Sequence, residues 1–347
     1  MRHVIDARAR WRWLLALVAL VSLGAALTAL AAAQTCSQRG KLDVLYCDEN
    51  GDGIPDPPKD PAKVLHPDTL VFAYVPVEDP AVYGSVFADL LRHIEKVTGK
   101  KTQYFGPQNY AAQIEAMRSG RLHVTGYSTG SLPYAVNLAG AVPFAQMATA
   151  KGPRGYHLVV IVKADNAKVT SVADLRGKRV AHVSQTSNSG HQAPVYFFSR
   201  QGVTPGKDYQ IAFSGKHDNS ILGVVNGDYD AAAVADTVLE RMVNRGVVKR
   251  TEYKVIYASP VFPTAGFAYY HALEPQLAAK LKDAFYTFKI AGTSLGKEFK
   301  DATGFVPIDY KKDWDSVVGI LEANGASFSR ESPDFKKFAE PPKKGGE

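Results

Sequence analysis

The stretch Ser184-Gln185-Thr186-Ser187-Asn188-Ser189-Gly190-His191 places four hydroxyls and two amides between an apolar strand-like run, Arg179 to Val183, and a helical one, Ala193 to Phe198. At a strand-to-helix turn, unpaired backbone N–H groups point outward and the helix dipole favours negative charge. Short hydroxylic side chains add donors, and Gly190 permits close approach. Thr186, Ser187, Asn188 and Ser189 are therefore candidates to hold an anion through neutral donors, since the turn contains no Lys or Arg. The alternative is a helix cap with no ligand. A second hydroxyl-rich turn, Gly126-Tyr127-Ser128-Thr129-Gly130-Ser131, leads into another helix and offers Tyr127 and Ser128.

These turns must be positioned by a larger frame. The chain has 347 residues, 46% of them hydrophobic, enough for two lobes or domains. Its charge of +7 and pI near 9.1 come largely from Arg2, Arg8, Arg10 and Arg12 at the front and four lysines near the end. With no zinc-ligand spacing and no RNA-binding aromatic pattern, nucleic acid is excluded as a partner. Basic residues 1–12, the apolar run Trp13 to Ala33 and Ala31-Ala32-Ala33 read as a signal peptide over 1–33, cleaved before Gln34 for export. An uncleaved anchor is the alternative, the run being long enough to span a bilayer.

The only cysteines, Cys36 and Cys47, follow the cleavage point and read as one disulfide in an oxidising compartment; two free thiols are the alternative. Asp48, Asn50, Asp52, the Ile54 carbonyl and Asp56 then form an oxygen-rich loop suited to a structural Ca²⁺. The position of an EF-hand's bidentate Glu holds Lys59, so this loop is incomplete by that standard. An acidic surface turn is the alternative. Residues 34–67 thus read as a bridged arm ending in a proline-rich linker.

From Asp68 onward strands and helices alternate. Strands are expected at Thr69–Val75, Leu122–Thr125, Tyr156–Val162, Tyr209–Phe213, Asp230–Val234 and Tyr253–Ala258. Helices are expected at Val82–Val97, Asn109–Arg118, His217–Val225, Thr237–Asn244 and Leu277–Ile290, with another near Trp314–Leu321. The alternation implies an α/β fold with mostly parallel sheets flanked by helices. The tail 331–347 reads as flexible.

The phrases Asn109-Tyr110-Ala111-Ala112-Gln113, Asp174-Leu175-Arg176-Gly177-Lys178, Ser187-Asn188-Ser189-Gly190, Gly215-Lys216-His217 and Ser259-Pro260-Val261-Phe262-Pro263 occur in that order. Together they resemble the phosphate/phosphite/phosphonate-binding proteins of bacterial ABC importers, over about residues 68 to 325. The resemblance implies a type II periplasmic binding protein, with one lobe at 68–160 plus 258–330, the other at 161–257, and ligand in the cleft between them. It implies ligand contacts from Tyr110, Tyr127, Ser187, Asn188, Ser189, His217 and one of Asp236 or Thr237. His217 would donate to the anion and gain a proton in doing so. The expected partners are a small oxyanion and an inner-membrane ABC permease, with the protein a periplasmic monomer.

Two rival functions are weighed. A Ser187/Ser189–His217–Asp236 nucleophile triad lacks a Gly-x-Ser-x-Gly elbow, which argues against an enzyme. An exported sensor of arsenic or a similar oxyanion, presenting ligand to a membrane kinase, would call for thiols in the cleft, yet both cysteines precede the clamp. In the family resembled, binders of aminoalkyl phosphonates place an acid just after the Ser-Pro-x-x-Pro phrase. None follows Ser259–Pro263 here, and Asp236 is the remaining candidate. The resemblance therefore implies phosphite or a short alkyl phosphonate ahead of 2-aminoethylphosphonate, with phosphate left open.

Overall fold

The computed structural model describes residues 36–328. The expected signal segment 1–33 and the tail 331–347 lie outside them. Among the described residues no helix is long and apolar enough to cross a membrane.

Cys36 and Cys47 are joined in a disulfide, and Asp43 N–H donates to Asn137 O of the body (2.8 Å). The first lobe opens with β1 (Thr69–Tyr74), whose residues are mostly buried, as a strand covered on both faces requires. The expected helix over 82–97 is two, α1 (Ala81–Val86) and α2 (Ala88–Thr98), divided at Phe87. Helix α2 turns Leu90, Leu91 and Ile94 inward and ends on Gly99 at φ 73°. Next come β2 (Lys101–Phe105), α3 (Tyr110–Arg118), β3 (Val124–Tyr127), α4 (Ser131–Ala139), β4 (Ala141–Thr149), β5 (Gly152–Pro153) and β6 (Gly155–Tyr156). Asn109 caps α3 by accepting the Ala112 N–H at 2.8 Å.

The second lobe holds β7 (Leu158–Lys163), β8 (Arg179–His182), α5 (Ala193–Arg200), β9 (Gln210–Phe213), α6 (His217–Asn226), β10 (Ala231–Ala235), α7 (Asp236–Asn244) and β11 (Tyr253–Ala258). The chain returns through β12 (Phe262–Pro263) and β13 (Gly266–Tyr270). It closes with α8 (Pro275–Thr287), α9 (Ser294–Glu298), β14 (Gly304–Pro307), α10 (Tyr310–Asp313) and α11 (Asp315–Ala323).

The first-lobe sheet runs β14-β4-β13-β3-β1-β2 with β5 on β4, and the second runs β11-β7-β10-β8-β9. The sheets therefore divide the chain at Leu158 and Ala258, where the sequence reading set 161 and 257. The fold is the two-lobed α/β architecture, but its sheets are mixed rather than mostly parallel. Strand β1 is parallel to β2 and β3, and β8 to β9 and β10. The other pairings, among them β7 with β10 and β11 and β13 with β3 and β4, are antiparallel. Strands linked by helical crossovers run parallel, whereas those that carry the chain into and out of a lobe run against them.

Candidate functional site

The anion turn is built locally. Val183 N–H donates to Gly190 O (3.0 Å), folding the turn back on the end of β8. Ser187 Oγ accepts the Gly190 N–H at 3.1 Å, and a single π turn, Asn188–Gln192, leads into α5. Such turns recur at functional sites. The amides of Asn188 and Ser189, at its start, have no helical acceptor. Gly190 is obligatory here: a Cβ would come within 2.5 Å of Val183 Cβ and 2.7 Å of Ser187 Oγ.

The turn faces a cavity of about 60 Å³ between the lobes. Ser128 and Thr129 reach it from the first lobe, Ser187, Asn188, Ser189, His217 and Thr237 from the second, and Thr264 from the returning segment. Tyr156 also lines it and receives the Asn188 amide at 2.9 Å. Among the described residues no carboxylate lines the cavity.

His217 begins α6, and its Nδ1 accepts the Ala235 N–H at 3.2 Å. The proton of the neutral ring is therefore on Nε2, which points to Ser187 Oγ at 3.5 Å. Burial, reinforced by the Arg241 charge, pushes its pKa down to about 3. His217 is thus a neutral donor. Gaining a proton on binding an anion would require Nδ1 to give up the Ala235 N–H.

Arg154 and Arg241 also line the cavity and went unforeseen. Neither brings a free charge. Arg241 Nη2 donates to Glu78 Oε1 (2.6 Å) and its Nε lies 3.3 Å from Glu298, while Arg154 pairs with Asp301 at 2.8 Å. Both lie thirty or more residues from the anion turn in sequence, so no local signal announces them.

Three other candidates sit elsewhere. Tyr127 is buried in the first-lobe core with its hydroxyl on Met117 Sδ (3.3 Å), outside the cavity lining. Thr186 is buried but does not line the cavity. The Asp236 carboxylate accepts the His157 and Thr237 N–H groups (3.0 and 2.6 Å), so it clips the crossing between lobes instead of facing ligand. Burial raises its pKa. Its neighbour Thr237 takes the cavity position. Tyr110 is buried in interacting range of Ser187, its hydroxyl lacking a protein hydrogen bond of good geometry.

The family model for the periplasmic substrate-binding protein of phosphonate ABC transporters matches residues 72–314. The chain belongs to this family. The chain is similar to the phosphate-import protein PhnD of Mycolicibacterium smegmatis, 28% identical over 78% of this chain and 90% of that protein. It is also similar to the phosphonates-binding periplasmic protein of Escherichia coli, 26% identical over 70% of this chain and 72% of that one. PhnD1 of Prochlorococcus marinus, solved in complex with methylphosphonate, shares the fold at TM-score 0.67 and 20% identity, over 75% of this chain and all of that one.

The chain is accordingly a periplasmic binding protein of an ABC transporter and not an enzyme. The geometry agrees: His217 Nδ1 is held by Ala235 N–H, so Asp236 cannot complete a triad with it. The thiol chemistry expected of an arsenic sensor is also missing from the cleft, because the only two cysteines are bonded to each other in the N-terminal arm.

Proposed function

We propose that the protein captures a small tetrahedral phosphorus oxyanion, phosphite or a short alkyl phosphonate, and delivers it as a monomer to an inner-membrane ABC permease. The observation that carries this reading is the convergence of neutral donors from both lobes on one small, carboxylate-free cavity. Each hydrogen bond to a charged group contributes roughly 1.5–3 kcal/mol. A set of hydroxyls, amides and the neutral His217 Nε2–H can therefore hold an oxyanion without a paired cation.

The lining supports the same choice. The aminated ligand would bury an ammonium near Thr264 and Ala265, where no acid among the described residues lines the cavity. Phosphate, the ligand in the mycobacterial relative's name, is the close competitor. Asn188 Oδ1 and Thr264 Oγ1 are buried without partners and can accept from a ligand hydroxyl.

Calorimetry with phosphite, methylphosphonate, phosphate and 2-aminoethylphosphonate in one buffer tests the reading. Phosphite or methylphosphonate is expected to bind most tightly. Tightest binding by the aminated ligand would overturn the selectivity, and failure of all four to bind would overturn the function.

A further inference from the structure

The loop Asp48–Asp56 takes no part in the anion cleft, and its donors are those of a different ligand. We propose that it is a Ca²⁺ site, formed by Asp48, Asn50, Asp52, the Ile54 carbonyl and Asp56, that fastens the N-terminal arm to the first lobe. Oxygen donors at this spacing suit a hard cation. Acidic spacing alone is common in surface turns, so the argument rests on Asp48.

Asp48 is only 4% exposed. Its Oδ2 accepts the Gly53 N–H across the loop at 3.0 Å. Its Oδ1, on the same carboxylate, is buried without any hydrogen bond. No lysine or arginine forms an ion pair with it among the described residues. Lys59 pairs with Glu49 (2.6 Å), and Lys311 donates to the Gly51 carbonyl. A buried carboxylate without a countercharge is unfavourable, and a divalent cation supplies that charge together with a partner for the unpaired oxygen.

Among the described residues no three His, Cys, Asp or Glu side chains yet converge closely enough to chelate an ion. Asp52 and Asp56 are turned onto loop amides, those of Ile54 (2.8 Å) and Glu49 (2.6 Å). Both are only partly buried. Binding therefore requires them to turn from those amides toward Asp48, a rearrangement confined to the loop.

The site's place in the fold gives it a task. The loop follows the Cys36–Cys47 bridge directly, and Asp56 N–H donates to Cys47 O at 2.8 Å. Asp56 O lies 2.9 Å from His271 Nδ1, and Lys311 holds Gly51, so the loop rests on the first lobe at its middle and at its far end. Calcium would lock the arm there without touching the cleft.

The test is calcium titration of the full chain after removal of divalent ions, by calorimetry and thermal melting, with magnesium as control. One Ca²⁺ per chain is expected, with affinity in the roughly 10⁻⁴–10⁻³ M range of extracellular calcium modules, and a thermal midpoint that rises with calcium. Asp48→Asn and Asp52→Asn should each weaken calcium at least about tenfold, while methylphosphonate affinity stays the same with and without the ion. Asp52→Asn, at a less buried position, covers the case in which Asp48→Asn fails to fold. Absence of any calcium-dependent heat or shift in the wild-type chain overturns the site, as does calcium affinity retained in both variants.

Discussion

At the scale of single residues, binding should rest on donors whose orientation is already set. Ser187 is held by Gly190, and His217 is held by Ala235. Little rearrangement is then needed when an anion arrives, so each donor contributes close to its full hydrogen bond. Alanine at Ser187, Ser189 or His217 is expected to weaken methylphosphonate roughly ten- to hundredfold, the loss of one charge-assisted bond. Tyr127→Phe should leave affinity unchanged, because its hydroxyl is spent on Met117. Titration calorimetry on the four variants separates these outcomes. Unaltered binding in all three alanine variants would eliminate the site.

At the scale of elements, the cleft is closed by turns pressed against each other. The Val77 carbonyl accepts the His217 N–H at 2.9 Å, and Asp218 accepts the Asp79 N–H at 3.1 Å, so the start of α6 docks on the loop after β1. Beside them Glu78 takes Arg241 of α7 and Arg245 just after it, with Tyr83 on the same carboxylate. Removing one member of such a buried cluster commonly costs about 3–5 kcal/mol, so this latch ties the lobes together at the wall of the same cavity, which Arg241 lines. Gly130 sits at the closest approach. A Cβ there would lie 2.4 Å from Thr186 O and 2.7 Å from Asn188 N, although the backbone at φ −81° suits any residue. Gly130→Ala should therefore impair closure and not local folding. Affinity is expected to fall more than about tenfold while the ligand-free melting temperature barely moves. Wild-type affinity in this variant would show that the lobes do not meet there on binding.

At the scale of the whole molecule, stability should depend on acid through buried histidines. His182 Nδ1 lies 2.8 Å from His191 Nδ1, and its Nε2 lies 2.7 Å from the Tyr209 hydroxyl. Burial holds His191 down to about 4 and His182 well below its ordinary value, the latter helped by His191. The unfolded chain takes up these protons near pH 6.5, and the folded chain resists until about pH 4 or lower. The unfolded state thus binds more protons in that window, and stability falls as the pH drops through it. Melting temperature should be flat above about pH 7 and decline from pH 6.5 toward 4. His191→Asn should flatten that decline, and an equal slope in this variant would mean that other groups carry it.

What the sequence by itself determined was local. Ser187 reaches Gly190 and Asn109 reaches Ala112 within one turn of chain, so hydroxyl and amide capping could be read from spacing. The Cys36–Cys47 bridge spans only eleven positions. The hydrophobic alternation likewise placed most strands and helices, and the ordered phrases implied the family. What only the tertiary structure decided was which side chains meet across long separations. Arg154 and Arg241 enter the cavity wall, Tyr127 turns into the core, and Thr237 replaces Asp236 at the cleft. Strand direction was hidden as well, because an apolar run looks the same whether a neighbour runs with it or against it. Capping and periodicity act over a few residues and leave a mark in the sequence. The facing of two lobes is set by contacts between distant residues, and no short stretch records it.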